Sequence, residues 1–357
     1  MTNISRRQFL AGVAGVAAMP LTGRPAPSNE RFEMLVIGDS LIWGQGLREE
    51  EKSYRILHQY LESEILRKPI NLQVLAHSGA ALKLTREEHQ ALSRTEIDRT
   101  SFHPEINISF PTVMDQLDAA VKHYGNVDSV DLVLLSGGVP DIGVINILDP
   151  FSSPDALRNK IRYEVGVRLR EVIDRTARSF PRAAIGVVGY YPIITEFTPM
   201  RTIINDVLEV FNWPGWTKPL LNNQVNRVWL RRYRRRMIDR SEIWMNESTA
   251  ILRDAVESVN RYTGDRIVFV LPPFEERHGY GAPETLLWQA GEGGMAQDPR
   301  AADRRTACRP ELTVLRGATN LRYRTRVCEL ASIGHPNTAG AAAIAGELKK
   351  SLVTQLI

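Results

Sequence analysis

Cysteine is nearly absent from this chain, at 2 of 357 residues. Two thiols with no clustered histidines do not make a tetrahedral metal set, which excludes a zinc centre. Long apolar runs are missing as well. Past the N-terminus nothing approaches the roughly 20 consecutive apolar residues that a membrane-spanning helix needs. There is no internal repeat and no low-complexity tract, so arrays and solenoids drop out. Neither a P-loop nor a dinucleotide-binding glycine fingerprint occurs, and no cofactor is implied. Charge is nearly balanced: 45 Lys and Arg against 41 Asp and Glu leave +4, too little to specify a polyanionic partner.

Hydrophobic residues make up 43% and charged residues 24% of the chain, the balance of a globular protein. The length allows one large domain or two small ones and a core that needs no staples. Residues 1–28 read differently. Ser5-Arg6-Arg7-Gln8-Phe9-Leu10 precedes an apolar, small-residue stretch from Ala11 to Met19, followed by a Pro/Gly/Ser-rich exit. That pattern predicts a twin-arginine export signal and linker, with the twin-arginine machinery as partner and a periplasmic or extracellular destination. No A-x-A cleavage site is evident, so retention as an uncleaved anchor, the one expected route to membrane contact, stays open. In an exported protein the pair Cys308 and Cys328 predicts a disulfide, closing a loop of about 20 residues worth roughly 3 kcal/mol. The alternative is two free thiols.

Short apolar runs at Met34–Ile37, Leu72–Ala76, Val130–Leu135, Ala184–Val188 and Ile267–Leu271 have the look of buried parallel strands. Helical periodicity fills the gaps over Tyr54–Arg67, Thr112–Tyr124, Leu157–Phe180, Val225–Tyr262 and Ala341–Leu356. The alternation predicts an α/β domain over 29–357, a three-layer α/β/α sandwich with a mostly parallel, flavodoxin-like sheet of about five strands. A Pro-, Thr- and Trp-rich stretch around 195–225 breaks the pattern and reads as an insertion. Gly291–Arg326 reads as irregular, arginine-rich and pinned by its cysteines.

The sharpest local signal is Val36-Ile37-Gly38-Asp39-Ser40-Leu41, a strand end that turns into a helix with a serine on the turn. Ligands of parallel α/β sheets bind beyond the carboxyl ends of the strands, where this hydroxyl points. A bare Gly-Asp-Ser also suits a helix-capping serine. Three further blocks follow in order: His77-Ser78-Gly79-Ala80, Leu135-Ser136-Gly137-Gly138-Val139-Pro140-Asp141, and Ser332-Ile333-Gly334-His335-Pro336-Asn337.

This ordered set resembles the SGNH (GDSL) hydrolases, whose four blocks carry Ser, Gly, Asn and His, and Gly38-Asp39-Ser40-Leu41-Ile42-Trp43-Gly44-Gln45-Gly46 resembles a bacterial branch of them. The resemblance runs from Phe32 to the end of the chain. It implies a nucleophile at Ser40, a base at His335, and oxyanion donors in the backbone amides of Ser40 and Gly79. The implied reaction is hydrolysis of a small-molecule, carbohydrate or lipid ester through an acyl-enzyme. Two positions depart from the pattern. The oxyanion asparagine of the third block is replaced by Pro140, which has neither a carboxamide nor a backbone N–H. The acid that orients the histidine, three residues before it, is replaced by Ser332. Asp141 is a candidate substitute, but nothing in the sequence brings it to His335. A catalytically weak or inactive relative that binds a ligand or partner in the same cleft is the alternative.

Asp39, Gly138, Asp141 and His278 are further candidates to line the cleft. The run Arg231-Arg232-Tyr233-Arg234-Arg235-Arg236 reads as a solvated helix face rather than a nucleic-acid site, because Asp239, Glu242 and Glu247 dilute its field. Trp213, Trp216, Trp229 and Trp244 near the insertion suit either packing under a long loop or an aromatic cap over a groove.

Overall fold

A computed structural model describes residues 31–207, 224–291 and 294–356. The expected export signal and most of the expected insertion, with Trp213, Trp216 and the side chain of Trp229, lie outside the described residues.

Five strands form one parallel sheet: β1 (Phe32–Ile37), β2 (Ile70–Val74), β3 (Leu132–Leu135), β4 (Ala184–Val188) and β5 (Ile267–Val270). Their order is β2-β1-β3-β4-β5, the flavodoxin-like winding. The central strands β3 and β4 are buried along their whole length, as their Leu, Val, Ile and Ala runs, with Gly186 in β4, require of a sheet covered on both faces.

Helices cover the sheet in two groups, each packed within itself. One pairs α1 (Ser53–Tyr60) with the C-terminal α7 (Thr338–Leu356). The other joins α2 (Val113–Tyr124), α3 (Pro154–Tyr163), α4 (Arg170–Ser179) and the 40-residue α5 (Gln224–Thr263). A single π-helical turn, Glu164–Leu169, links α3 to α4 and keeps Val165 and Leu169 in the core. Starts are marked chemically: Thr112 caps α2 in a reciprocal capping box with Asp115, and Ser153 caps α3 ahead of Pro154.

The segment expected to be irregular contains a helix, α6 (Ala301–Thr319), despite Pro310 within it. Arg304, Cys308, Leu312, Leu315 and Thr319 fall at helical spacing and are all buried. Two of them, an arginine and a threonine, are polar, which hides the stripe. The disulfide does form: Cys308 and Cys328 are bonded, with their Cα atoms 6.0 Å apart. It ties α6 to the segment leading into His335.

The arginine run sits on α5 with Arg231, Arg232, Arg235 and Arg236 exposed. Arg234 and Arg235 both pair with Glu196, and Arg235 also with Asp239, as expected of a solvated face. Trp244 is buried and packs on Tyr190, ring centroids 4.4 Å apart. Among the described residues no helix is long and apolar enough to cross a membrane.

Candidate active site

Ser40 opens a single helical turn, Ser40–Trp43, directly after β1. Gly38 lets the chain leave the strand at φ +143°, where a Cβ would come within 2.5 Å of the Ser136 carbonyl oxygen. The turn is held from beneath. Gln116 on α2 accepts from Gly38 N (2.7 Å) and donates to the carbonyls of Gly38 and Pro111. Asp39 is fully buried and accepts from Leu41 N (3.2 Å) and Ser136 Oγ (2.6 Å). Burial pushes its pKa up. Asp39 is thus a cap beneath the serine, not a group facing the cleft.

The last block brings His335 from the far end of the chain. Its Nε2 lies 2.7 Å from Ser40 Oγ, across 295 residues of sequence. Burial, and next the charge of Arg304, depress its pKa to about 4, so the ring is neutral near pH 7. A neutral ring accepting the Ser40 hydroxyl at Nε2 carries its proton on Nδ1. No hydrogen-bond partner meets Nδ1, which is buried; the nearby carbonyls of Ser332 and Ala331 pull weakly in favour of the protonated form.

The position of the orienting acid is occupied differently. Ser332 donates to Asp298 Oδ2 (2.5 Å) and accepts from Arg304 Nη2 (2.9 Å). Arg304 is wholly buried, and each of its five N–H groups has an acceptor. Nε binds the Glu329 carbonyl, Nη1 binds Glu105 and Asp298, and Nη2 binds Asp298 and Ser332. Although burial opposes its charge, bonding and attraction from Asp298 and then Glu105 hold its pKa up. Glu105 in turn accepts from Trp43 Nε1 (3.0 Å), Gln45 Nε2 (2.9 Å) and Gly46 N (3.4 Å). One buried network therefore runs from the serine's turn through Glu105, Arg304 and Asp298 to the histidine's loop. None of these three residues stood out in the sequence. The available signal was Arg304 one helical turn before Cys308, on a stripe that continues through Leu312 and Leu315.

Gly79, after β2, has φ +73°. Neither its amide nor that of Ser40 has a protein acceptor among the described residues, which leaves both free for an incoming oxygen. Pro140 lies in a short helical turn, Val139–Ile142, opened by Gly138 at φ +104°. Asp141 is not brought to His335. It accepts from Leu82 N at 3.0 and 3.1 Å and faces Arg168 at 3.9 Å, joining the second and third blocks. Burial, reinforced by Glu164, pushes its pKa up to about 7. His278 lies in a tight turn and accepts from Glu275 N, a structural contact. No group of three or more metal-ligating side chains occurs among the described residues.

In block order, sheet winding and the Ser40–His335 pair, the chain resembles the SGNH hydrolases. No family model matches it, and no curated protein matches it. Solved structures similar to it include an extracellular lipase from Streptomyces rimosus, at 12% identity and TM-score 0.48 over 90% of this chain and 99% of that one. A phospholipase A1 from Streptomyces albidoflavus is similar at 12% identity and TM-score 0.46 over 90% and 99%. A family 3 carbohydrate esterase from Clostridium thermocellum is similar at 13% identity and TM-score 0.41 over 91% and 97%. What the site can do follows from its own residues.

Proposed function

We propose that this chain is an exported serine hydrolase that cleaves an ester outside the cytoplasm through an acyl-enzyme at Ser40. The observation that carries the reading is the 2.7 Å contact between Ser40 Oγ and a neutral His335 Nε2. A hydroxyl is a poor nucleophile while protonated, and a base in hydrogen-bond reach removes that obstacle. In the first half-reaction Ser40 Oγ bonds to the ester carbonyl carbon as its proton moves to His335 Nε2. The carbonyl electron pair moves onto oxygen, facing the amides of Ser40 and Gly79. Collapse of this adduct breaks the ester C–O bond, and the leaving alkoxide takes the proton from His335. Water then repeats the sequence on the acyl-enzyme, releasing the acid and restoring Ser40.

In this reading the missing acid has a positional substitute only. A carboxylate beside the base fixes its tautomer and stabilises the imidazolium. Here the histidine's loop is held by the buried network behind Ser332, in which the pull of Asp298 towards the protonated ring is outweighed by the charge of Arg304. A second reading is a binding protein on the same scaffold. The bare Nδ1 of His335 and the proline in the third block favour it.

Labelling with a fluorophosphonate probe separates the two. Wild type should label, Ser40→Ala should not, and His335→Ala should label at least 100-fold more slowly. A folded wild type that fails to label would overturn the hydrolase reading in favour of the binding protein.

A further inference from the structure

The third block lacks an oxyanion side chain, but a carboxamide stands beside Gly79 from elsewhere. Residues 104–109 run alongside the second block, held by backbone bonds from Ser78 N to the Pro104 carbonyl, Ile108 N to the Ser78 carbonyl, and Ala81 N to the Ser109 carbonyl. Ile106 and Ile108 in this segment, and Phe110 just after it, are buried in a small apolar cluster with the disulfide. Asn107 and Ser109 alternate with them and are only half-buried. Asn107 falls opposite Gly79. A Cβ added at Gly79 would overlap Asn107 Oδ1, and would also meet the Ile108 carbonyl oxygen at 2.8 Å. On its other side the segment is bound to the serine's own turn, since Glu105 accepts from Trp43, Gln45 and Gly46. The Asn107 carboxamide is thus fixed against Gly79 by a segment anchored to the serine's turn. It makes no hydrogen bond among the described residues.

We propose that Asn107 is a catalytic residue, supplying the third oxyanion donor that Pro140 cannot, and that this is why the reaction tolerates proline in the third block. The inference rests on the serine-hydrolase reading above. A half-turn of the carboxamide exchanges Oδ1 and Nδ2 without breaking any protein bond, because neither atom has a protein partner. The N–H group then takes the place of Oδ1 against Gly79, the residue whose amide is assigned to the oxyanion. A donor aimed at developing charge lowers the barrier more than it tightens substrate binding. It also accounts for glycine at 79 beyond its φ, since any side chain there would displace the carboxamide.

The test compares wild type, Asn107→Ala and the isosteric Asn107→Asp for hydrolysis of p-nitrophenyl acetate and for the rate of fluorophosphonate labelling. Thermal melting is measured alongside. The expected result is a fall in kcat of about 10²–10³-fold with KM within about threefold, and a parallel fall in labelling rate. Asn107→Asp, which removes the donor and adds negative charge, should be at least as slow. Melting should be unchanged in both. A structural role would move melting and leave the kcat-to-KM split unbiased, and would overturn the proposal. If wild type is active and Asn107→Ala stays within about threefold of it, Asn107 is no donor and the hydrolase reading survives alone. If wild type neither labels nor hydrolyses, both fall together.

Discussion

The hydroxyl of Ser332 donates a 2.5 Å hydrogen bond to the carboxylate of Asp298, 34 residues away in the chain. Ser332 stands three residues before the candidate base, where the SGNH pattern that the sequence resembles carries an acid. Instead of touching the imidazole, it joins the histidine's loop to a buried Arg304 held by two carboxylates. The serine's turn is tied to the same arginine through Glu105. Two loops nearly 300 residues apart are thereby registered by one charged group.

Such a network should break unevenly. Asp298→Asn leaves the Arg304 charge buried against a single carboxylate and should destabilise the fold by about 3–5 kcal/mol. Ser332→Ala removes one bond and should cost about 1–2 kcal/mol. Urea unfolding of both variants measures this. Equal, small losses would mean that Arg304 is solvated or repartnered in solution.

The pH dependence of Ser40 reactivity follows from His335. Its pKa is depressed, from an ordinary 6.5 to about 4, so the neutral, base-competent form persists until pH falls through about 4. Fluorophosphonate labelling should be flat from pH 7 down to about 5 and drop below it. A midpoint near 6.5 would contradict a buried, neutral ring.

The disulfide holds the helix that carries Arg304 against the segment leading into His335. Replacing both Cys308 and Cys328 with serine should remove about 2–4 kcal/mol of stability. Labelling of Ser40 should slow as well. Thermal melting and labelling with and without reductant test the two effects, and a reductant-insensitive melting point would argue against the bond.

Asp141 is buried with its pKa raised to about 7, so its charged form is disfavoured in the fold. A raised folded pKa means that wild type loses stability as pH rises from about 4 to about 7, after which the loss is constant. Asp141→Asn keeps an acceptor for Leu82 N and has no charge to bury. It should match wild type near pH 4 and exceed it by ~1–3 kcal/mol above pH 7, read from urea midpoints across that range. A pH-independent difference would place the carboxylate in solvent.

The strands could be read because each carries a short apolar run, unbroken in the fully buried β3 and interrupted by Asn71 and Gln73 in the edge strand β2. Ser40, Gly79 and His335 could be singled out because their blocks, three of which follow strands, keep the order of the SGNH hydrolases that they resemble. Helix α6 could not be read, since its buried stripe includes an arginine and a threonine and Pro310 lies within the helix. A buried arginine looks like a surface arginine until its partners are seen. Glu105, Asp298 and Arg304 become one group only because three separated segments converge. The same holds for Asn107, whose neighbour Gly79 is 28 positions earlier and is met only through a backbone ladder.

By itself, then, the sequence determined the strands, most of the helices and the fold class, because hydrophobic period is written residue by residue. Ser40 and His335 stand out through the resemblance to the SGNH hydrolases. Only the tertiary structure decided that Ser40 and His335 meet at 2.7 Å, that Asp39 faces inward and that Asp141 lies elsewhere. It also decided that a network centred on Arg304 stands where an acid was expected. Those are pairings across long loops, set by packing and burial, and no local pattern encodes them.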